Sequence, residues 1–142
     1  MIKLQFILCV GISMILPMAG CAQQQQVDSD YLPVIKKPLY DRGKGPLLLV
    51  DAGHHNFHTL DDKFAPFGRV AEMNGFVVKP LESGFTSEKL SGAKVLVIAN
   101  ALHKKNIKKW RRPVYQAFTE SEIEVIRNWV WNGGSLFLIA DH

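Results

Sequence analysis

The chain has 142 residues, two cysteines and a formal net charge of +4, with 47% hydrophobic and 21% charged residues. That is the composition of a globular chain with one modest core, not of a disordered, collagenous or disulfide-framework protein. The charge is too small to mark a nucleic-acid binder, and no nucleic-acid partner is expected.

In chain order, Lys3 precedes an apolar stretch from Phe6 to Leu16, of signal-peptide length and too short to span a bilayer comfortably. Leu16-Pro17-Met18-Ala19-Gly20-Cys21 follows and resembles the lipobox of bacterial lipoproteins. On that reading residues 1–20 form the signal peptide and Cys21 becomes the lipidated first residue. The partner is then a membrane, reached through the lipid, and the location is the extracytoplasmic face of a bacterial cell envelope. An ordinary secretory signal or an uncleaved anchor is the alternative. With Cys9 removed and Cys21 lipidated, no thiol is left here for a disulfide, a zinc-thiolate site or a cysteine nucleophile.

Residues 21–45 read as the lipidated cysteine and a flexible tether. Gln23 to Gln26, Pro33, Pro38 and Gly43 break any periodicity, and the reach is on the order of 25–30 Å. Tyr31 to Tyr40 alternatively rests on the domain. The domain portion is 46–142.

Leu47-Leu48-Leu49-Val50 is a continuous apolar run, the pattern of a strand covered on both faces. Ala65 to Asn74 predicts a helix with Pro66 in its first turn, Phe67, Val70 and Ala71 inward, and Gly75 as its left-handed cap. Phe76 to Lys79 predicts a second strand stopped by Pro80. A turn or short helix at Ser87 to Leu90 leads to a third strand, Lys94 to Ala99.

A loop from Asn100 to Phe118 follows and holds Lys104, Lys105, Lys108, Lys109, Arg111 and Arg112 around Trp110. It reads as a solvated basic loop with Trp110 against the domain, or as an anion-facing lid or a patch for lipid headgroups or cell-wall polymers. Thr119-Glu120-Ser121-Glu122 is a capping box. It opens a helix to about Asn132 whose apolar face is Ile123, Ile126, Trp129 and Val130. Gly133-Gly134 ends it, and Leu136 to Ala140 is a fourth strand running into Asp141-His142. Strands alternating with helical segments predict an α/β domain with a parallel sheet.

Such sheets bind ligands outside the carboxyl ends of their strands. Those ends carry Asp51, Asn100 and Asp141, with His54, His55, His58 and His142 close behind. Three readings are open. Imidazoles and carboxylates suit a divalent metal, with His54, His58, Asp141 and His142 as its ligands. Asp51 or Asp141 could orient an imidazole for acid–base chemistry, making Asp51, His54, His58, Asp141 and His142 the catalytic candidates. In the third reading the polar residues only build turns: Asp51 and Asn56 bond backbone amides, a histidine completes the network, and Phe57 is a core anchor. Asn56 and Asn100 are the ligand-binding candidates, for a small molecule.

Five motifs together resemble an uncharacterised bacterial family. They are Asp51-x-Gly53-His54-x-Asn56-Phe57-His58-Thr59, Gly75-Phe76, Val95-Leu96-Val97-Ile98-Ala99-Asn100, Phe118-Thr119-x-x-Glu122-Ile123, and Trp129-Val130-x-x-Gly133-Gly134-Ser135-Leu136-x-Leu138-Ile139-Ala140-Asp141-His142. That family is similar to the class I glutamine amidotransferase-like superfamily, near its trehalose-utilisation (ThuA-like) branch. The resemblance implies a flavodoxin-like three-layer fold, of which about four strands are present. It does not imply amidotransferase activity, because no nucleophilic Cys or Ser follows Ala140. It further implies a longer domain, so the chain is expected to be the front part of one. Two functions follow as expectations: a small-molecule or metal-dependent hydrolase, or a non-catalytic binding or scaffold domain.

Overall fold

The computed structural model describes residues 26–28, 30–109 and 111–140. The expected leader and lipidated Cys21, together with Trp110, Asp141 and His142, lie outside the described residues.

Four strands form one all-parallel sheet: β1 (Leu47–Asp51), β2 (Val77–Leu81), β3 (Ala93–Ala99) and β4 (Ser135–Ile139). Their order is β2-β1-β3-β4, so β1 and β3 are central, and the covered position of β1 is the one its unbroken apolar run predicts. The register Leu49 to Leu96 and Val50 to Val97 aligns like-facing side chains. Leu49, Leu96 and Ile98 join Leu90, Phe85 and Ile126 on one face, while Leu48, Val50 and Val97 join Ala71 on the other.

Helix α1 (Ala65–Met73) lies on the second face, with Gly68 and Ala71 buried and Phe67 packed beside them. It stops at Asn74, and Gly75 adopts φ +93°. A side chain there would be strained and would also meet the Tyr40 carbonyl, so glycine is required twice over. The second strand runs through Pro80 rather than ending before it. The reason is position: β2 is an edge strand, where a missing ladder N–H is tolerated.

The first face carries the short α2 (Ser87–Leu90) and α3 (Glu120–Trp131). The capping box of α3 forms as predicted, with Thr119 Oγ1 accepting from the Glu122 amide and Glu122 Oε2 from the Thr119 amide. Its inward face differs from the expected one. Ile126 is buried with Val125 and Trp129 beside it, whereas Ile123 and Val130 are 45% and 39% exposed. Glu122 takes the inward position one turn before Ile126, so its bonding rather than hydrophobic spacing rotates the helix.

Strand β4 is the other edge, and Phe137 and Leu138 on it are 51% and 56% exposed. The segment before β1 touches the domain at a few points, while Leu32, Val34 and Leu39 stay exposed. Arg69 donates to the carbonyls of Asp28 and Tyr31, and the Tyr40 ring meets Phe76 edge-on at 5.4 Å.

Candidate functional site at the carboxyl edge of the sheet

Asp51 is the last residue of β1 and fully buried. A carboxylate there needs donors, and the next five residues supply them. The Gly53 amide donates to Oδ1 at 3.1 Å and Asn56 Nδ2 to Oδ2 at 2.9 Å. His54 Nδ1 lies 2.9 and 3.0 Å from the two oxygens. Asn56 closes the turn by accepting from the His54 amide and donating to the Ala99 carbonyl, which ties the loop to β3. This is the turn-building role expected of Asp51 and Asn56. Gly53 is required by crowding, since a Cβ would lie 2.7 Å from the Ser83 backbone.

His54 Nε2 faces a second carboxylate, Glu122 Oε1, at 3.0 Å. Phe85 stacks on the ring at 4.5 Å between centroids, and Phe118 meets it edge-on at 4.9 Å. Glu122 is saturated in turn. Oε1 also accepts from the Phe85 amide at 3.1 Å, and Oε2 accepts from the Thr119 amide and hydroxyl at 2.9 and 2.8 Å. Gly84 leaves the room for this, because a Cβ there would sit 2.5 Å from Oε1.

The electrostatics follow. A neutral imidazole would turn one lone pair onto a carboxylate oxygen, whereas the imidazolium donates to both. Burial of His54 opposes charge, but the hydrogen bonds and negative charges of Asp51 and Glu122 outweigh it and raise its pKa above 6.5. Burial likewise disfavours the ionised form of Glu122. The donors on Thr119, His54 and Phe85 win, and its pKa falls to about 2. In the cationic form that this setting favours, both N–H groups of His54 are spent on carboxylates.

Glu122 is the residue that sequence reasoning missed as part of the site, having given it only a capping role. A signal existed. A helix that follows a parallel strand starts at the sheet's carboxyl edge, so the third residue of α3 lies on the edge that carries Asp51.

The expected histidine pair is not brought together. His58 turns to the other face, against Phe57 and Phe64 at 5.0 Å each, with its Nδ1 3.0 Å from Asn100 Nδ2. Asn100 adopts φ +48° just after β3 and accepts from the Phe57 amide. Phe57 is not the expected core anchor: the residue is 38% exposed with the Lys63 ammonium 3.3 Å from its ring centroid, and the partly buried Phe64 packs against the core instead. Among the described residues no group of three or more His, Cys, Asp or Glu side chains is placed to hold a metal. Of the expected metal ligands, His54 and His58 have separate partners, and Asp141 and His142 lie outside the described residues.

A cleft of about 150 Å³ opens beside the network, lined by Gly53, His54, His55, Leu102, His103 and Lys104 among others. His55 is exposed at its mouth with φ +49°, a strained backbone for a histidine. The Leu102 amide donates to the His54 carbonyl and fixes one wall.

Comparisons with family models, with curated proteins and with solved structures each return no match. The fold and the geometry above therefore carry the functional reading: an α/β domain with a four-stranded parallel sheet and a polar network at its carboxyl edge.

Proposed function

We propose that this chain is a lipid-anchored envelope protein whose domain, of flavodoxin-like layout and akin to the ThuA-like branch, binds a small molecule at the carboxyl edge of its sheet. One observation carries the binding reading: both ring nitrogens of His54 are within 3.0 Å of carboxylate oxygens. A general base needs a free lone pair and a general acid an N–H aimed at substrate. His54 offers neither, so Asp51–His54–Glu122 acts as the rigid floor of a binding cleft, and the groups left to meet a ligand are His55, His103 and Lys104. The strand order β2-β1-β3-β4 supports the flavodoxin-like layout. The anchor is supported by the segment Leu16 to Cys21.

Chemical-shift titration of the full chain with small carboxylates, sugars and phosphates tests the binding site. Perturbation centred on Gly53, His55, Leu102 and His103 is expected; perturbation confined elsewhere contradicts it. Palmitate labelling tests the anchor. Incorporation lost in Cys21→Ala supports it, and unchanged processing and membrane association refute it.

A second reading, small-molecule hydrolysis with His54 as general acid, draws on His54 lining the cleft. It requires Glu122 to release Nε2, so turnover that rises or persists in Glu122→Gln and vanishes in His54→Gln would favour it.

A further inference from the structure

Charge is distributed very unevenly along this chain. Six of its 17 basic residues lie between 104 and 112, leaving 11 basic against 13 acidic residues everywhere else. No acidic residue occurs from 89 through 119. The whole positive balance therefore sits on the connection between β3 and α3, on an otherwise slightly acidic molecule. Among the described residues none of the six cations belongs to an ion pair.

The connection is also built. Lys104–Asn106 forms one 3₁₀ turn with the His103 ring accepting from the Lys105 amide. The buried Asn106 then ties three points of the loop together: its Nδ2 donates to the Pro113 carbonyl at 3.0 Å and to the Lys109 carbonyl at 3.4 Å, and its Oδ1 accepts from the Tyr115 amide at 3.0 Å. The result is a concavity of about 400 Å³ lined by Lys105, Lys109, Arg111, Arg112 and Tyr115, with the Lys105 ammonium 4.8 Å from the Tyr115 ring centre. Cations held around a shaped hollow bind an anion at lower entropic cost than cations on a mobile strand. The aliphatic Val114 is 75% exposed beside them, and Ile107 is exposed as well.

We infer that the two stretches 105–109 and 111–115 form a docking surface for the headgroups of an anionic phospholipid bilayer. The cations and Tyr115 meet the phosphates, and Val114 and Ile107 enter the headgroup–acyl boundary. Basic residues with exposed aliphatic side chains and an aromatic ring fit an interface that is anionic above and apolar below. A nucleic acid would match the charge but would leave Val114 against phosphate or water. The inference concerns the loop alone and does not depend on the ligand cleft or on lipid at Cys21.

Sedimentation of the full chain with vesicles tests it. Pure phosphatidylcholine vesicles report any contribution of the apolar amino-terminal segment, and vesicles with phosphatidylglycerol at about one third report the added effect of charge. Partitioning about ten-fold or more stronger onto the anionic vesicles is expected at low salt, collapsing at high salt. The increment should disappear when Lys105, Lys109, Arg111 and Arg112 are all replaced by glutamine, and Val114→Asp should weaken it with every cation retained. Equal partitioning onto both vesicle types overturns the inference, as does an increment that survives the four substitutions. Binding to duplex DNA in preference to the anionic vesicles overturns it as well.

Discussion

Glu122 Oε1 lies 3.0 Å from His54 Nε2 across 68 residues of sequence, and this contact joins the first strand's exit loop to the start of the last helix. It turns a local turn, Asp51 to Asn56, into a largely buried carboxylate–imidazole–carboxylate bridge between β1 and α3.

Removing the imidazole should therefore act on stability first. His54→Ala leaves Asp51 and Glu122 facing a vacated ring site between Phe85 and Phe118. Breaking a buried ion pair from one side costs about 3–5 kcal/mol. Urea denaturation of the full chain should show a loss of that order, with the midpoint shifted and the slope unchanged.

The bridge also sets a pH optimum. The Glu122 pKa is depressed, so its contribution is fully present above its ordinary value of 4.5 and is lost as pH falls towards about 2. Thr119 supplies the largest part of that depression, with His54 and Phe85 adding to it. The His54 pKa is raised, so its contribution is fully present below 6.5 and is lost as pH rises through the higher folded value. Stability should peak between those limits. Denaturation curves across pH should show the acid limb weakened in Glu122→Gln and the alkaline limb weakened in His54→Gln.

Two glycines should prove intolerant for reasons of space alone. Gly84→Ala places a methyl 2.5 Å from Glu122 Oε1 and forces that oxygen off His54 and the Phe85 amide. Gly53→Ala drives a methyl into the Ser83 backbone, which cannot swing aside. Each should cost about 1–3 kcal/mol, with Gly53→Ala the worse. Only Gly84→Ala should also bring the His54 pKa back towards 6.5, as followed by NMR titration.

Exposure on both faces of β4 should make the chain self-associate. Phe137 and Leu138 are both more than half exposed on an edge strand, the arrangement that seeds strand pairing between chains. Light scattering should show larger species growing with concentration, and Phe137→Lys with Leu138→Glu should suppress them.

The sheet was legible because β1 and β3 are unbroken apolar runs and because a capping box and a double glycine bracket α3. What eluded the sequence was the competition between hydrophobic spacing and polar bonding. Ile123 and Val130 satisfy helical periodicity, yet Glu122 turns the helix so that they face out. His54 and His58, four apart, look like a pair in one dimension. The turn that Asp51 builds sends their rings to opposite faces of the sheet edge. Pro80 ends a strand by residue preference alone, and only the strand order shows that an edge can accommodate it.

The proposed role of His54 is that of a fixed, doubly bonded ring beneath a binding cleft, not a proton-transfer group. The ring ¹⁵N shifts of His54 in the full chain at pH 7 test it most directly. Both nitrogens should carry protons, and the titration midpoint should lie above the ordinary value of 6.5. A neutral ring at pH 7, with one unprotonated nitrogen, would contradict the account.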